Sequence, residues 1–167
     1  EGWLHTGDIG YLVDGQYLKI TDRKKEMFKL SAGKYVAPQV IETRLKESPY
    51  IENCIVFGEN QKFASAIIIP SLPKLKNYAQ KRKIQYETDR ELIASEEIVK
   101  LIHAEVEKVN KTLAAHEVVK RERIVLDDWT ADNDMLSQTL KLKRRNIHKK
   151  YANLINDIFK TDKSEDK

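Results

Sequence analysis

Two short apolar runs near the middle of the chain limit the fold most strongly. Residues 54–57 and 66–69 are rich in β-branched side chains, and Gly58 and Pro70 follow directly after them. Runs of this length and composition, closed by residues that end strands, are typical of buried β-strands. We expect these two strands to pair, and a third run at 124–126 predicts a further strand.

Helical periodicity surrounds these strands. Pro38 suits the first turn of a predicted helix, and Pro49 is expected to end it. Apolar residues also recur at helical spacing in three later segments, after Pro73, over 98–113 and over 147–158. Strands interspersed with helices indicate an α+β fold, with a short mixed or antiparallel sheet flanked by helices.

The N-terminal part predicts a β-hairpin followed by a junction. Residues 11–13 and 16–20 flank Asp14-Gly15, a dipeptide that accepts the positive φ angles of a tight turn. A polar and basic run at 21–26 then leads to a short strand-like piece at 27–30. We interpret the basic run as the connection between two structural units.

Composition and charge exclude several classes of protein. A chain of 167 residues that is 41% hydrophobic can bury one core, and its net charge of +4 is too small to indicate a nucleic-acid binder. Cys54 is the only cysteine, which rules out an intrachain disulfide bond. The four histidines show no metal-ligand spacing, and no apolar run approaches the roughly 20 residues that span a bilayer. The sequence predicts a cytosolic domain without a metal site.

Two patterns that suggest chemistry are set aside. Gly2 and Gly7 have the spacing of a phosphate-binding P-loop, but Asp8 stands where that loop needs a lysine. Cys54 lies in an apolar run without an obvious base nearby, so we interpret it as an inert core thiol.

Several short signals occur in one informative order. The stretch 2–8 precedes the hairpin, the stretch 22–29 follows it, and Gly33, Pro38 and Ile41-Glu42 come next. Each signal is weak alone. In this order and at these separations, they closely resemble the core signatures of the adenylate-forming superfamily, to which acyl-CoA synthetases belong.

A basic motif near the C-terminus extends the resemblance. Residues 139–144 match the last signature of the superfamily, a lysine three residues before an arginine, in the form carried by the long-chain branch. The sequence departs from the family at Leu140, where other branches carry glycine, and at Gln138, where the long-chain branch often has proline. The helical insert between 69 and 124 also resembles long-chain synthetases.

The resemblance implies a reaction in two steps. In the family, a carboxylic acid attacks the α-phosphate of ATP to give an acyl-adenylate and pyrophosphate, and the CoA thiol then displaces AMP. For this chain it implies the C-terminal lid of a long-chain fatty acid:CoA ligase. Residues 1–24 would end the large N-terminal domain and form a linker, 25–160 would form the lid, and 161–167 a disordered tail. Because the chain opens inside a signature, we interpret it as a fragment that is inactive alone.

The resemblance also implies roles for individual residues. Lys141 would stabilise the negative charge that builds at the α-phosphate, with Lys143 as the alternative lysine. Asp8 would accept hydrogen bonds from the ribose hydroxyl groups, and Arg23 would lie beside the ribose and phosphate. Lys25 would be the hinge about which the lid rotates between the two steps.

The loop at 31–34 would face the CoA path after that rotation. Gly33 would let the backbone approach the pantetheine arm, with Lys34 in the same loop and Tyr35 packed near the nucleotide. ATP would arrive with Mg²⁺ held mainly by the missing domain and the phosphates. Fatty acid, ATP and CoA would all bind through that domain.

Other interpretations stay open. Amino-acid adenylation domains, and enzymes that activate other carboxylic acids, share these signatures. A basic nucleic-acid binding module built on 141–150 is disfavoured, because the scattered aromatic residues give no stacking platform beside the basic run. We expect a cytoplasmic protein that binds no nucleic acid and whose contact with the inner face of a membrane, if any, is peripheral.

Overall fold

The computed structural model describes residues 6, 8–23 and 27–160, with the backbone alone at 8, 9 and 20–23. Its first elements are the antiparallel strands β1 (Asp8–Val13) and β2 (Tyr17–Arg23). The turn residues Asp14 and Gly15 have φ angles of 52° and 69°. Positive φ at both central positions is the mark of the tight hairpin turn that the dipeptide predicts. The predicted hairpin is confirmed.

A second small sheet and a short helix follow the junction. Strands β3 (Phe28–Lys29) and β4 (Tyr35–Val36) pair antiparallel, and helix α1 (Pro38–Leu45) comes directly after them. Pro38 occupies the first turn of α1, as predicted. The helix ends before Pro49, so that proline does not terminate it.

A sheet of three strands forms the centre of the fold. Strands β5 (Ile51–Phe57), β6 (Ala64–Pro70) and β7 (Val119–Ile124) lie in the order β5-β6-β7. Strand β6 pairs antiparallel with β5 and parallel with β7, and all of its residues are buried. The predicted pairing of the two apolar runs is confirmed.

The position of the third strand differs from the prediction. The sequence places it at 124–126, whereas β7 runs over Val119–Ile124 and Leu126 lies beyond its end with 42% exposure. Strand β7 lies at the edge of the sheet and contains four charged residues between its terminal Val and Ile. An edge strand tolerates charged side chains because part of its surface faces water. Because of these charged residues, a search for apolar runs does not detect the strand.

Five further helices follow in the described part of the chain. They are α2 (Leu72–Arg82), α3 (Asp89–Ala94), α4 (Glu96–Asn110), α5 (Arg144–Lys150) and α6 (Ala152–Lys160). Helix α4 has 15 residues, and the predicted long helix is confirmed over most of its length. The single terminal helix predicted over 147–158 is two helices that meet at Tyr151, whose hydroxyl group is held by Asp127 and Trp129.

The central sheet separates two apolar clusters. Alternate strand residues point to opposite faces, so Cys54 and Ile68 join helices α1 to α4 in one cluster, while Ile55 and Ile67 join the C-terminal segment in the other. Since both faces are covered, the central strands appear in the sequence as continuous apolar runs. The mixed sheet flanked by helices confirms the predicted α+β fold. In the described part of the chain, no helix combines the length and the apolar character needed to cross a bilayer.

Candidate functional site

The loop before α5 carries Lys141, the predicted catalytic residue. Leu136 and Leu142 form an antiparallel bridge at the base of this loop. Across it, the Ser137 backbone N–H donates to the Lys141 carbonyl at 2.8 Å, and the Lys141 N–H donates to Ser137 Oγ at 3.1 Å. Ser137 Oγ also lies 2.9 Å from Thr139 Oγ1. The loop is therefore fixed by its own hydrogen bonds, with Lys141 exposed on it.

Leu140 takes a backbone conformation that favours glycine. Its φ angle is 58°, in the left-handed region, and its side chain is 74% exposed. This conformation costs a residue with a Cβ about 1 kcal/mol. The sequence places leucine where other branches of the superfamily carry glycine, and the structure keeps the conformation that glycine would adopt.

The two candidate lysines differ in their partners. The Lys143 ammonium forms an ion pair with the Asp134 carboxylate, and this hydrogen bond lowers the pKa of Asp134. Within the described ranges, no ion pair or hydrogen bond engages the Lys141 ammonium. An ammonium group without a partner is available to an incoming anion. This difference favours Lys141 over Lys143 for the predicted role.

A buried ion pair anchors the start of α5 behind the loop. Arg144 Nη1 and Nη2 donate to Glu42 Oε1 and Oε2 at 2.9 and 2.6 Å, and the Val56 N–H donates to Glu42 Oε1 at 2.7 Å. Burial raises the pKa of the Glu42 carboxyl, and the charge and hydrogen bonds of Arg144 oppose that rise. Because both carboxylate oxygens accept from the guanidinium fork, the pair is ionised. It ties α5 to α1 and β5.

The sequence did not predict a role for Glu42. It appears there only as part of the Ile41-Glu42 signature, although it is 3% exposed in the structure. The available signal was its position on α1, next to Ile41 and three residues before Leu45, both fully buried. An acidic residue on the apolar face of a helix needs a cationic partner. Arg144 is that partner, and the pair holds the start of α5 behind the loop.

A cleft of about 210 Å³ lies between the loop and α1. It is lined by residues of the helix and by residues of the loop: Gln39, Glu42, Thr43, Lys46, Leu140, Lys141, Leu142 and Arg144. The structure therefore brings Lys141 and Arg144 together at one cleft. It adds Lys46, which sequence reasoning missed because an exposed lysine at the end of a helix carries no local signal.

The predicted CoA-facing loop is a tight turn between β3 and β4. Gly33 has a φ angle of 83°, its N–H donates to the Leu30 carbonyl at 2.9 Å, and the Leu30 N–H donates to the Lys34 carbonyl at 2.8 Å. A Cβ added at Gly33 would meet only Lys29 Cε, at 3.8 Å. The glycine is thus favoured by its backbone angle and not by crowding inside the described structure.

The residues beside Gly33 are at the surface. Lys34 is exposed, and Tyr35 is 57% exposed with the Lys29 ammonium 5.8 Å from its ring centre. These residues belong to β4 and its turn, whereas Lys141 belongs to the loop before α5. The predicted CoA and adenylation residues therefore lie on separate elements of the domain.

Asp8 and Arg23, the predicted ribose residues, are partners across the hairpin. They pair directly in the register of β1 and β2. Their side chains lie outside the described residues, as does the whole of Lys25, the predicted hinge, and the predicted tail at 161–167. Their roles stay predictions.

Neither Cys54 nor the candidate metal ligands form a second centre in the described part of the chain. Burial raises the pKa of the Cys54 thiol, and its Sγ donates to the Glu42 carbonyl at 3.6 Å, which agrees with an inert core thiol. No group of three His, Cys, Asp or Glu residues that could hold a metal occurs among the described residues.

Comparison with known proteins gives the family. The model of the AMP-binding enzyme C-terminal domain matches residues 25–163. Long-chain-fatty-acid–CoA ligase 1 from Homo sapiens is 36% identical over 98% of this chain and 24% of that protein. Long chain acyl-CoA synthetase 6, peroxisomal, from Arabidopsis thaliana is 32% identical over 96% of this chain and 23% of that protein. The chain thus spans about a quarter of the length of these relatives.

Solved structures show the same fold at lower identity. The A domain of carboxylic acid reductase from Segniliparus rugosus, in complex with AMP and a co-purified carboxylic acid, has a TM-score of 0.75 at 23% identity, covering 93% of this chain and 23% of that one. A fatty acyl CoA synthetase from Mycobacterium tuberculosis has a TM-score of 0.53 at 22% identity, covering 92% and 25%. With a family match over most of its length and a fold shared with adenylating enzymes, the chain belongs to the family of AMP-binding enzyme C-terminal domains.

Proposed function

We propose that the chain is the lid domain of an ATP-dependent long-chain fatty acid:CoA ligase. The observation that carries the proposal is the free ammonium group of Lys141, held on a hydrogen-bonded loop that the Glu42–Arg144 pair anchors. The named activity of relatives 32% and 36% identical over nearly the whole chain supports the substrate class.

Lys141 acts in the first step. A fatty acid carboxylate oxygen attacks the α-phosphorus of ATP, and the bond to pyrophosphate breaks. Negative charge builds on the phosphate oxygens as this happens, and a cation fixed beside them contributes about 3 to 4 kcal/mol to the transition state. The ammonium suits this task because it is compact and carries three rotatable donors on a flexible stem.

The second step uses another face of the same domain. The lid turns about Lys25, and the loop at 31–34 replaces Lys141 at the site. The CoA sulfur then attacks the acyl carbon, and AMP leaves with both electrons of the broken bond. Gly33 leaves its side of the turn open, so the pantetheine arm can pass along the backbone.

The rest of the site belongs to the N-terminal domain of the parent enzyme. Residues 1–24 form the end of that domain and the linker, and 25–160 form the lid. Asp8 and Arg23 hold the ribose. Mg²⁺ enters with ATP and is held mainly by the phosphates and that domain. The enzyme works in the cytoplasm, and any contact that it makes with the inner face of a membrane is peripheral.

The test is ATP–pyrophosphate exchange by the full-length parent with fatty acids from acetate to palmitate and with amino acids. Exchange with the long acids that is lost in Lys141→Ala, with Lys74→Gln as a control at an exposed lysine on α2, is the expected result. Exchange with amino acids or short acids alone would favour an adenylation domain of another specificity. Exchange with no acid would contradict the proposal.

A further inference from the structure

A second lysine faces the cleft that contains Lys141. Gln39 and Thr43 of α1 and Lys46, the residue that caps its C-terminal end, follow one another at steps of four and three, so they lie on one side of the helix. That side forms one wall of the cleft, and Leu140 and Lys141 belong to the other. The helix after the CoA-facing turn therefore contributes to the surroundings of the adenylation lysine.

The cleft has an excess of positive charge. The carboxylate of Glu42 is held by Arg144 through two hydrogen bonds, so these two charges cancel. The ammonium groups of Lys46 and Lys141 remain, and neither has an ion-pair partner in the described part of the chain. Two cations at one opening repel each other unless an anion lies between them.

The Lys46 charge is close to the cleft wall. Burial raises the pKa of Glu42, while the charges of Arg144 and Lys46 both oppose that rise. Lys46 and Glu42 both line the cleft, so the Lys46 side chain borders the same opening as the carboxylate that Arg144 binds. A ligand in the cleft would lie between Lys46 on one wall and Lys141 on the other.

The size and polarity of the cleft limit what it can hold. Its volume of about 210 Å³ lies below the roughly 300 to 1,000 Å³ of pockets that enclose drug-sized ligands. A volume of this size suits a phosphate group better than an enclosed acyl chain or a whole nucleotide. The Gln39 amide and the Thr43 hydroxyl add uncharged donors to the two ammonium groups.

We propose that Lys46 and Lys141 together form a subsite for a phosphate group. Lys46 binds and orients the anion, and Lys141 contacts both this group and the reacting centre. The subsite itself follows from the cleft, whereas the origin of the phosphate and the contact of Lys141 with the reacting centre rest on the proposed function. The phosphate belongs to the polyphosphate of ATP or to CoA, and these two sources can be separated by kinetics.

The first experiment measures binding without catalysis. Inorganic pyrophosphate is titrated into the 167-residue chain by calorimetry, with circular dichroism to check that each variant is folded. Lys46→Gln and Lys141→Gln should each raise the Kd about tenfold, as expected for loss of one charge-assisted hydrogen bond, and the double variant should not bind.

Lys74→Gln is the matched control for this titration. Lys74 is exposed on α2 and lies outside the cleft, so its loss should leave the Kd unchanged. An unchanged Kd in Lys46→Gln would overturn the subsite. Equal weakening by Lys74→Gln would also overturn it, since binding would then depend on overall charge.

The second experiment identifies the source in the full-length parent. If the phosphate is that of ATP, Lys46→Gln should raise the KM for pyrophosphate in the exchange reaction about tenfold and leave the KM for CoA unchanged. A raised KM for CoA alone would assign the subsite to a CoA phosphate. If neither KM changes, the subsite has no part in the reaction. A further outcome is that the parent shows no exchange with any acid while the chain still binds pyrophosphate through Lys46. That result would refute the proposed function and support the subsite.

Discussion

Replacing Glu42 with glutamine removes one charge of the buried pair that anchors the Lys141 loop. Glu42 is 5% exposed at its side chain and Arg144 is 22% exposed. Removal of one partner from a buried pair costs about 3 to 5 kcal/mol, because the other charge stays in the interior without compensation. Partial access of water to Arg144 places the expected loss at the lower end, about 3 kcal/mol in the free energy of unfolding.

Urea unfolding of the 167-residue chain at pH 7 measures this loss. The control is Glu96→Gln, which breaks the exposed pair between Glu96 and Lys100 on α4 and should change stability very little. Adding Arg144→Met to Glu42→Gln should restore part of the loss, since the uncompensated charge is gone. A loss below about 1 kcal/mol in Glu42→Gln, as for a surface pair, would refute the reasoning.

Three further predictions concern the two loops and the C-terminal helices. In the full-length parent, Gly33→Leu should slow thioester formation from supplied acyl-adenylate. Gly33→Asn tolerates the φ of 83°, so comparing the two variants separates a blocked CoA path from strain in the backbone. Normal rates in both variants would show that the loop does not line the CoA path. Leu140→Asn should stabilise the chain to urea by about 1 kcal/mol, because asparagine accepts positive φ and Leu140 is exposed; a loss would contradict this. Burial favours the protonated form of the Asp127 carboxyl, but hydrogen bonds from Lys150 and Tyr151 lower its pKa overall. The ionised carboxylate therefore stabilises the folded chain at pH values above 3.8, the pKa of the group in the unfolded chain, and this stabilisation is lost as the pH falls. Unfolding free energies from about pH 5 to 3 should therefore fall less steeply in Asp127→Asn than in the original chain; equal slopes would argue against that pKa shift.

Local sequence patterns predicted the structural elements that depend on only a few neighbouring residues. The Asp14-Gly15 turn needs only two residues that accept positive φ, and the structure has both angles. Strands β5 and β6 were visible because their residues are buried on both faces of the sheet. Strand β7 was misplaced because its edge position allows charged residues in its interior.

The surroundings of the candidate site depend on contacts that no local pattern contains. Glu42 and Arg144 are 102 residues apart in sequence, and their pairing appears only when α1 and α5 meet at the sheet. The packing of α1 beside the start of α5 also brings Lys46 to the cleft that Lys141 lines. The ion pair between Lys143 and Asp134, which favours Lys141 over Lys143, is also invisible in any local pattern.

The most direct test of the role of Lys141 is to measure the two half-reactions separately in the full-length parent. Palmitoyl-adenylate formation from palmitate and ATP, and palmitoyl-CoA formation from supplied palmitoyl-adenylate, are followed in the original enzyme, Lys141→Ala and Lys143→Ala. We predict that Lys141→Ala loses adenylate formation by two to three orders of magnitude, roughly the effect of removing one preorganised donor, and keeps thioester formation. We also predict that Lys143→Ala keeps most of both. Equal damage to both steps in Lys141→Ala, or loss of the first step in Lys143→Ala alone, would contradict the assignment.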